Sequence, residues 1–204
     1  MIKNVVFDFG QVLVRFEPSY MVGRYVFEPN DAKLLETVVF DRLYWDRLDA
    51  GTISDAEAVE AIKARVPKRL WGVASEIYYN WIYNIPEING MRELVEHIKE
   101  EYSVSVFLLS NISKYFAEHS GEIPILRLLD KCIFSSVCGM IKPNRDIYEY
   151  LCAECDIDPR ETMFIDDREK NTKAAEELGI TGYVFDGDVQ RLRSYLDETL
   201  RGNV

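Results

Sequence analysis

The feature that most constrains the fold is an apolar run near the N-terminus that ends in an aspartate. Val5–Phe7 lead into Asp8, and Gly10 follows two residues later. Because residues 4–9 lack the polar alternation of a half-exposed strand, they predict a strand buried on both faces. Such strands form parallel sheets, which bind ligands at the carboxyl ends of their strands. Asp8 is therefore the first candidate for chemistry, and Gly10 permits a sharp turn and a close approach to a ligand.

The second half of the chain continues the pattern of a parallel sheet. Four further apolar runs begin near residues 104, 132, 162 and 182. Amphipathic helical segments separate these runs, and the first segment begins at about residue 89. This alternation predicts an α/β fold with right-handed crossovers and with helices on both faces of the sheet.

Residues 18–88 interrupt the alternation, because they contain no buried-strand run and consist of successive helical segments. A break falls at Ala50–Gly51, and Ser54 then has a glutamate three residues later, the spacing of a capping box that begins a new helix. We therefore predict a core formed by residues 1–17 and 89–204, with an inserted all-helical domain at 18–88.

The charge balance argues against two classes of partner. Lys and Arg total 24 against 35 Asp and Glu, and the net charge of −11 disfavours nucleic acid and anionic membranes. No apolar run is long enough to span a bilayer, and Met1 leads into a strand rather than a signal peptide. We expect a cytoplasmic protein, either a monomer or a weak homodimer, whose four cysteines are reduced.

Three of the predicted strands end in polar side chains, and a loop lysine lies between two of them. The set consists of Asp8, Ser110, Asn111, Lys142, Asp166 and Asp167. If the three strands are neighbours, these side chains converge on one pocket above the sheet. Read singly, the polar pairs also suit helix caps, and the lysine suits a solvated loop.

Each member of the set has a sensible chemical role in such a pocket. Asp8 can act as a carboxylate nucleophile. The pair Asp166-Asp167 offers oxygen ligands for a hard divalent cation such as Mg²⁺. Ser110 and Lys142 can bind the oxygens of a phosphoryl group during its transfer.

In this order, the motifs resemble those of the haloacid dehalogenase (HAD) superfamily, and the resemblance covers essentially the whole chain. The matching segments are Asp8–Leu13, Leu108–Asn111, Lys142-Pro143 and Phe164–Asp167. The resemblance implies a Rossmann-like sheet whose first strand lies between the second and the fourth. It also implies that the helical insert is a type I cap.

The resemblance further implies a Mg²⁺-dependent phosphatase acting on a small phosphorylated metabolite. Asp8 would attack phosphorus and form an aspartyl-phosphate, with Lys142 as the second catalytic residue. Mg²⁺ would be bound by Asp8, by the carbonyl of Gly10 and by the pair Asp166-Asp167. The phosphate group would be bound by Ser110, Asn111 and Lys142.

One position departs from the pattern of most phosphatases in the superfamily, which carry a second aspartate two residues after the nucleophile. Here that residue is Gly10, which has no acid to protonate a leaving group. The motif resembles a sub-branch that includes glucose-1-phosphate phosphatases and shares this gap. Two explanations remain open: a cap acid such as Asp46 or Asp49 replaces the missing group, or the substrates have leaving groups that depart easily.

The cap is expected to determine the substrate, which we predict to be a sugar phosphate such as glucose 1-phosphate. Tyr44, Trp45 and Arg47 precede the break in the cap and are the candidate specificity residues. Tyr78 and Trp81 are expected to lie in the core of the helical bundle.

Three other interpretations stay open at this stage. A 2-haloacid dehalogenase also lacks the second aspartate, but such enzymes work without metal and lack an acidic pair like Asp166-Asp167. The protein could also be a catalytically weak relative that only binds or regulates. The single feature that favours this interpretation is Gly10, which stands in place of a catalytic acid. A phospho-accepting signalling module is disfavoured, since its acidic pair precedes the phosphorylated aspartate.

Overall fold

The computed structural model describes residues 1–203, so Val204, the last residue of the predicted core, lies outside the described residues. Its sheet has five strands: β1 (Asn4–Phe7), β2 (Ser105–Ser110), β3 (Lys131–Phe134), β4 (Thr162–Asp166) and β5 (Thr181–Val184). All pairings are parallel, and the spatial order is β3-β2-β1-β4-β5. The predicted α/β fold is confirmed, including the central position of β1 between β2 and β4.

Six helices belong to the sheet half of the chain. They are α6 (Met91–Tyr102), α7 (Lys114–His119), α8 (Ser135–Cys138), α9 (Arg145–Cys155), α10 (Glu169–Glu176) and α11 (Val189–Leu200), and they are numbered after the five helices of the insert. Short 3₁₀ turns lie at Ser120–Glu122, Pro124–Leu128, Pro159–Glu161 and Arg201–Asn203. Leu94, Leu192 and Leu196 help to cover one face of the sheet, while Tyr148 and Leu151 help to cover the other.

The five helices of the insert are α1 (Pro18–Gly23), α2 (Pro29–Val39), α3 (Arg42–Asp49), α4 (Asp55–Ala64) and α5 (Trp71–Asn80). Short 3₁₀ turns lie at Lys68–Leu70 and Trp81–Asn84. Side chains from all five helices, including Val22, Leu35, Leu48, Ile62 and Ile77, form a separate apolar cluster. The predicted capping box at Ser54 is present. The domain division at residues 18–88 itself stays a prediction.

The register of the sheet brings the candidate side chains together. Phe7 pairs with Leu108 on one side and with Ile165 on the other, so the carboxyl ends of β1, β2 and β4 lie side by side. Each of these strands then continues into one of the predicted polar residues, beginning with Asp8, whose N–H donates to Ile165 O at 2.9 Å.

The turn after β1 differs from the sequence prediction in one detail. The left-handed residue is Gln11, with φ of 60°, and the expectation that Gly10 supplies the sharp turn is wrong. Hydrogen bonds from Gln11 N to Val14 O (2.7 Å) and from Leu13 N to Phe9 O (2.9 Å) close the turn. Gly10 is therefore not required by backbone conformation, and an added Cβ would come no nearer than 4.0 Å to the Cβ of Phe16.

The sequence contains no apolar run long enough to span a bilayer, and the helices of the structure can be compared with that prediction. Among residues 1–203, none of the helices combines the length and the apolar character needed to cross a membrane.

Candidate active site

Three carboxylates meet at the carboxyl ends of β1 and β4. Asp8, Asp166 and Asp167 each place one oxygen within 4.8 Å of the others. Asp8 and Asp166 are buried, and Asp167 is half-buried. The predicted convergence of the first and last motifs is therefore present in the structure.

Lys142 joins two of these carboxylates. Its Nζ lies 2.8 Å from Asp8 Oδ1 and 2.7 Å from Asp166 Oδ2, and its side chain is 1% exposed. Burial alone disfavours the ammonium form, but Asp8 and Asp166 raise the pKa of Lys142 above its ordinary value. Lys142 therefore stays a cation in a site that is otherwise acidic.

Asn111 positions that lysine. Its Nδ2 donates to Lys142 O at 3.0 Å, and its Oδ1 accepts from Lys142 N at 2.9 Å. The side chain thus holds the backbone of the lysine loop, while Asn111 also lines the cavity and its role as a phosphate ligand stays a prediction. Ser110, at the end of β2, lines the same cavity as Asp8 and Lys142, and its contact with phosphate stays a prediction.

The sequence reasoning missed Asn171. Its Nδ2 lies 2.9 Å from each oxygen of Asp166, and it is buried on α10. The backbone N–H of Arg168 donates to Asp166 Oδ1 at 2.9 Å. Asn171 lies five residues after Asp166, so the beginning of the helix brings its side chain back to the end of the strand. The presence of an amide side chain at this spacing is the sequence signal that could have identified it.

The charges of the site are unbalanced without a further cation. In the cluster itself, three carboxylates are accompanied by one contacting ammonium, that of Lys142. Arg168 also lines the cavity and opposes the rise in the pKa of Asp167. Burial, reinforced by Asp166 and opposed by Lys142, raises the pKa of Asp8 to about 7. Burial and Asp166 also raise the pKa of Asp167.

This donor set fits a divalent cation that prefers oxygen ligands, such as Mg²⁺. Asp8, Asp166 and Asp167 would hold it, and Gly10, which lines the same cavity, offers a backbone carbonyl. The positive charge of such an ion would offset the negative charge of the carboxylate cluster. The residues present therefore fit the implied metal.

A cavity of about 280 Å³ lies above these groups. Residues of the sheet half, among them Asp8, Ser110 and Lys142, line it. The insert and the turn leading to it also contribute Phe16, Phe40, Arg42, Trp45, Asp49 and Trp81.

The three predicted specificity residues of the cap separate in the structure. Trp45 lines the cavity, whereas Tyr44 and Arg47 do not. Tyr44 is buried inside the insert, where its hydroxyl accepts from Arg65 Nη1 at 3.0 Å, and Arg47 is exposed. The structure therefore brings only Trp45 of the three to the cavity, and a specificity role for Tyr44 and Arg47 stays a prediction. The reason is helical geometry: on α3, residues 42, 45 and 49 share one face, and residues 44 and 47 lie off it.

Trp45 presents an apolar ring to the cavity. Its indole N–H donates to Val39 O at 2.9 Å, and Phe40 stacks on it with ring centroids 5.7 Å apart. Trp81, expected in the bundle core, packs against Trp45 at 5.3 Å and also lines the cavity. One wall of the site is consequently aromatic, and Arg42 and Asp49 are the charged groups that the insert adds.

The two candidate cap acids also separate. Asp46 is exposed and forms an ion pair with Arg42, at 2.5 Å from Nη2. Asp49 lines the cavity, and its Oδ1 is buried without a hydrogen-bond partner among the described residues. Burial raises the pKa of Asp49 to about 7.

Residues 2–179 match the haloacid dehalogenase-like hydrolase family. The match covers most of the chain and includes every motif named above, so the protein belongs to this family and is a hydrolase.

Three similar proteins illustrate the range of the family. D-ribitol-5-phosphate phosphatase of Bacteroides thetaiotaomicron is 28% identical over 192 residues, covering 88% of this chain and 89% of the relative. A HAD family enzyme from the same organism, solved as a magnesium complex, superposes with a TM-score of 0.67 at 25% identity, covering 94% of this chain and 98% of that one. The structure of L-2-haloacid dehalogenase of Xanthobacter autotrophicus, with chloropropionic acid covalently bound, has a TM-score of 0.68 at 16% identity. The match covers 98% of this chain and 84% of that one. The last likeness shows the fold alone.

Proposed function

We propose that this protein is a Mg²⁺-dependent phosphatase that hydrolyses small phosphate monoesters through an aspartyl-phosphate on Asp8. The observation that carries the proposal is the cluster of three carboxylates around one buried lysine. A divalent cation completes the charge balance of that cluster, and a phosphoryl group is the substrate that such a cation and a lysine bind together.

The residues of the chain divide the work as follows. Asp8 lies at the strand end with its Oδ1 held by Lys142, and it supplies the attacking oxygen. Lys142 and Ser110 bind oxygens of the phosphoryl group, and Asn111 fixes the position of Lys142. Bound Mg²⁺ supplies positive charge that offsets the charge of the phosphoryl oxygens.

A sugar phosphate such as glucose 1-phosphate is the substrate we propose. Support comes from Gly10, which this chain has in common with the glucose-1-phosphate phosphatase sub-branch that it resembles, and from the similarity to a sugar-alcohol phosphate phosphatase. A type I cap at residues 18–88 would cover the substrate, with Trp45 providing a ring on which a sugar can stack.

Dehalogenation of 2-haloacids is the second candidate. It is favoured by the shared fold and by Gly10, since a departing halide needs no proton. It is opposed by the pair Asp166-Asp167, because a metal-free reaction has no use for two further carboxylates beside the nucleophile. We therefore place it second.

The test is a release assay on a panel of sugar 1-phosphates, sugar 6-phosphates, ribitol 5-phosphate, nucleotides and 2-chloropropionate, each with Mg²⁺ or with EDTA. We expect phosphate release that requires Mg²⁺ and is lost in Asp8→Asn. Chloride release without metal would establish the dehalogenase instead. Phosphate binding without turnover on any substrate would favour the binding or regulatory relative.

A further inference from the structure

The proposed reaction on an alkyl ester needs a proton donor, because a simple alkoxide is too basic to leave unprotonated. The turn that follows Asp8 contains no acid: residues 9–14 are Phe, Gly, Gln, Val, Leu and Val. The donor for such esters must therefore come from another part of the cavity wall.

Three aspartates line the cavity: Asp8, Asp49 and Asp167. Asp8 is the attacking group, and Asp167 belongs to the carboxylate cluster that would hold the cation. Asp49 is the remaining acid. It comes from the insert and lines the same cavity as the nucleophile.

The sheet half of the protein holds Asp49 in place. The hydroxyl of Ser135, fully buried, donates to Asp49 O at 2.6 Å and accepts from Ile112 N at 3.0 Å. Gly51 follows with φ of 66°, and a Cβ there would meet Ser136 O at 3.0 Å. The end of α3 therefore lies directly against α8, and the backbone of Asp49 is held relative to the sheet half.

The surroundings of Asp49 favour a carboxyl group that carries a proton. Its Oδ1 is buried without a partner among residues 1–203, which is costly for a carboxylate. Burial raises its pKa to about 7; Asp46 acts in the same direction, while Arg42, Lys142 and Arg168 oppose it. A donor with a pKa near the working pH is the most effective general acid.

We propose that Asp49 donates the proton to the leaving oxygen and so replaces the acid that Gly10 lacks. This role rests on the phosphatase function proposed above. An oxygen of Asp8 forms a bond to phosphorus, the bond from phosphorus to the ester oxygen breaks, and that oxygen takes the proton of Asp49. The products are an alcohol, an aspartyl-phosphate and the carboxylate of Asp49.

The second step regenerates both residues. The carboxylate of Asp49 takes a proton from a water molecule as the water oxygen bonds to phosphorus. The bond from phosphorus to Asp8 then breaks, inorganic phosphate leaves, and Asp49 is again protonated. One group thus acts as acid in the first step and as base in the second.

The experiment compares an alkyl phosphate with 4-nitrophenyl phosphate, whose phenolate leaves without a proton. Asp49→Asn should lower kcat/KM for the alkyl ester by about 10²–10⁴-fold. Under single-turnover conditions, formation of the phosphoenzyme from the aryl ester should fall by less than about tenfold in the same variant. Asp46→Asn, three residues earlier on the exposed face of α3, is the matched control and should leave both rates near wild type.

A second variant tests whether an aspartate at position 10 can replace the acid of Asp49. Gly10→Asp in the Asp49→Asn background should restore part of the alkyl activity, since the site has room for a Cβ at residue 10. An equal loss on both esters in Asp49→Asn, or no loss on either, would overturn the role of Asp49 while leaving the phosphatase intact. Absence of phosphate release by the wild-type protein from any ester would instead overturn the proposed function, and this role with it.

Discussion

Lys142 is the residue on which the charge balance of the site depends. It is the cation that contacts both Asp8 and Asp166, and removing it leaves two buried carboxylates unpaired. Lys142→Met keeps most of the side-chain volume but should cost about 3–5 kcal/mol of unfolding free energy, as for other broken buried ion pairs. Urea unfolding of the metal-free protein measures this loss.

Lys131 provides the matched control for that measurement. It pairs with Glu154 at 2.6 Å, but both side chains are more than two-fifths exposed. Exposed pairs contribute little to stability, so Lys131→Met should unfold close to wild type. Equal destabilisation in the two variants would contradict the central place given to Lys142.

Asp49 should be visible in the pH dependence of substrate preference. A general acid acts only while protonated, so its contribution falls as pH rises through its pKa of about 7. The ratio of alkyl to aryl kcat/KM should decline above about pH 7 in the wild type. Titration of Asp8 cancels in this ratio, because both esters need the same nucleophile. In Asp49→Asn the ratio should be low and independent of pH, and an unchanged decline would contradict the assignment.

At the residue level, the sequence predicted the polar side chains that lie at strand ends. It did not predict the side chains that form hydrogen bonds with them. Asp8, Ser110, Asp166 and Asp167 follow buried strands, and the sheet register then brings them together. Asn171 was missed because its bond to Asp166 depends on how α10 lies over the strand end. The bonds from Asn111 to the lysine loop were missed for the same reason, since their partner lies 31 residues away in the chain.

Among the helices of the insert, α3 contributes the most residues to the lining of the cavity. Arg42, Trp45 and Asp49 face the cavity from this one helix, and its C-terminal end is bonded to the sheet half through Ser135. A small change at that contact should move the cavity-lining face of the helix as a unit.

Ser135→Ala tests this coupling. The change removes the bond to Asp49 O and leaves Ile112 N without its acceptor, at a cost of about 1–3 kcal/mol in unfolding free energy. Activity on alkyl esters should fall more than activity on aryl esters, because Asp49 loses its fixed position. Ser136→Ala is the neighbouring control: its hydroxyl is buried without a partner among the described residues, so its loss should be nearly neutral. Equal effects of the two variants would argue against a positioning role for Ser135.

The strands and helices were largely predictable from the sequence. Which faces of the insert's helices line the cavity was not. Strand and helix periodicities gave all five strands and the capping box at Ser54. Which face of α3 meets the cavity depends on how the insert lies against the sheet, through contacts such as the one between Gly51 and Ser136. Such contacts join parts of the chain that lie far apart in sequence, so the periodicity of the sequence does not predict them.

For the whole molecule, the central property is the excess of negative charge at one end of the sheet. The carboxylate cluster should bind Mg²⁺ in the native state only, since the three residues come together only when the sheet forms. Saturation at about 100 times the dissociation constant should then add about 2.7 kcal/mol to the unfolding free energy. Thermal unfolding with Mg²⁺ or EDTA measures this, and Asp167→Asn should reduce the shift. A midpoint that does not respond to Mg²⁺ would contradict the metal site.

The most direct test of the account is the site of covalent phosphorylation during turnover. The protein is mixed with Mg²⁺ and 4-nitrophenyl phosphate, quenched in acid within the first turnover, digested and mapped by mass spectrometry. We predict one phosphorylated aspartate, Asp8, in the peptide that contains the end of β1. The adduct should be absent with EDTA and in Asp8→Asn. Phosphate on Asp166 or Asp167, or turnover with no adduct on Asp8, would contradict the proposed mechanism.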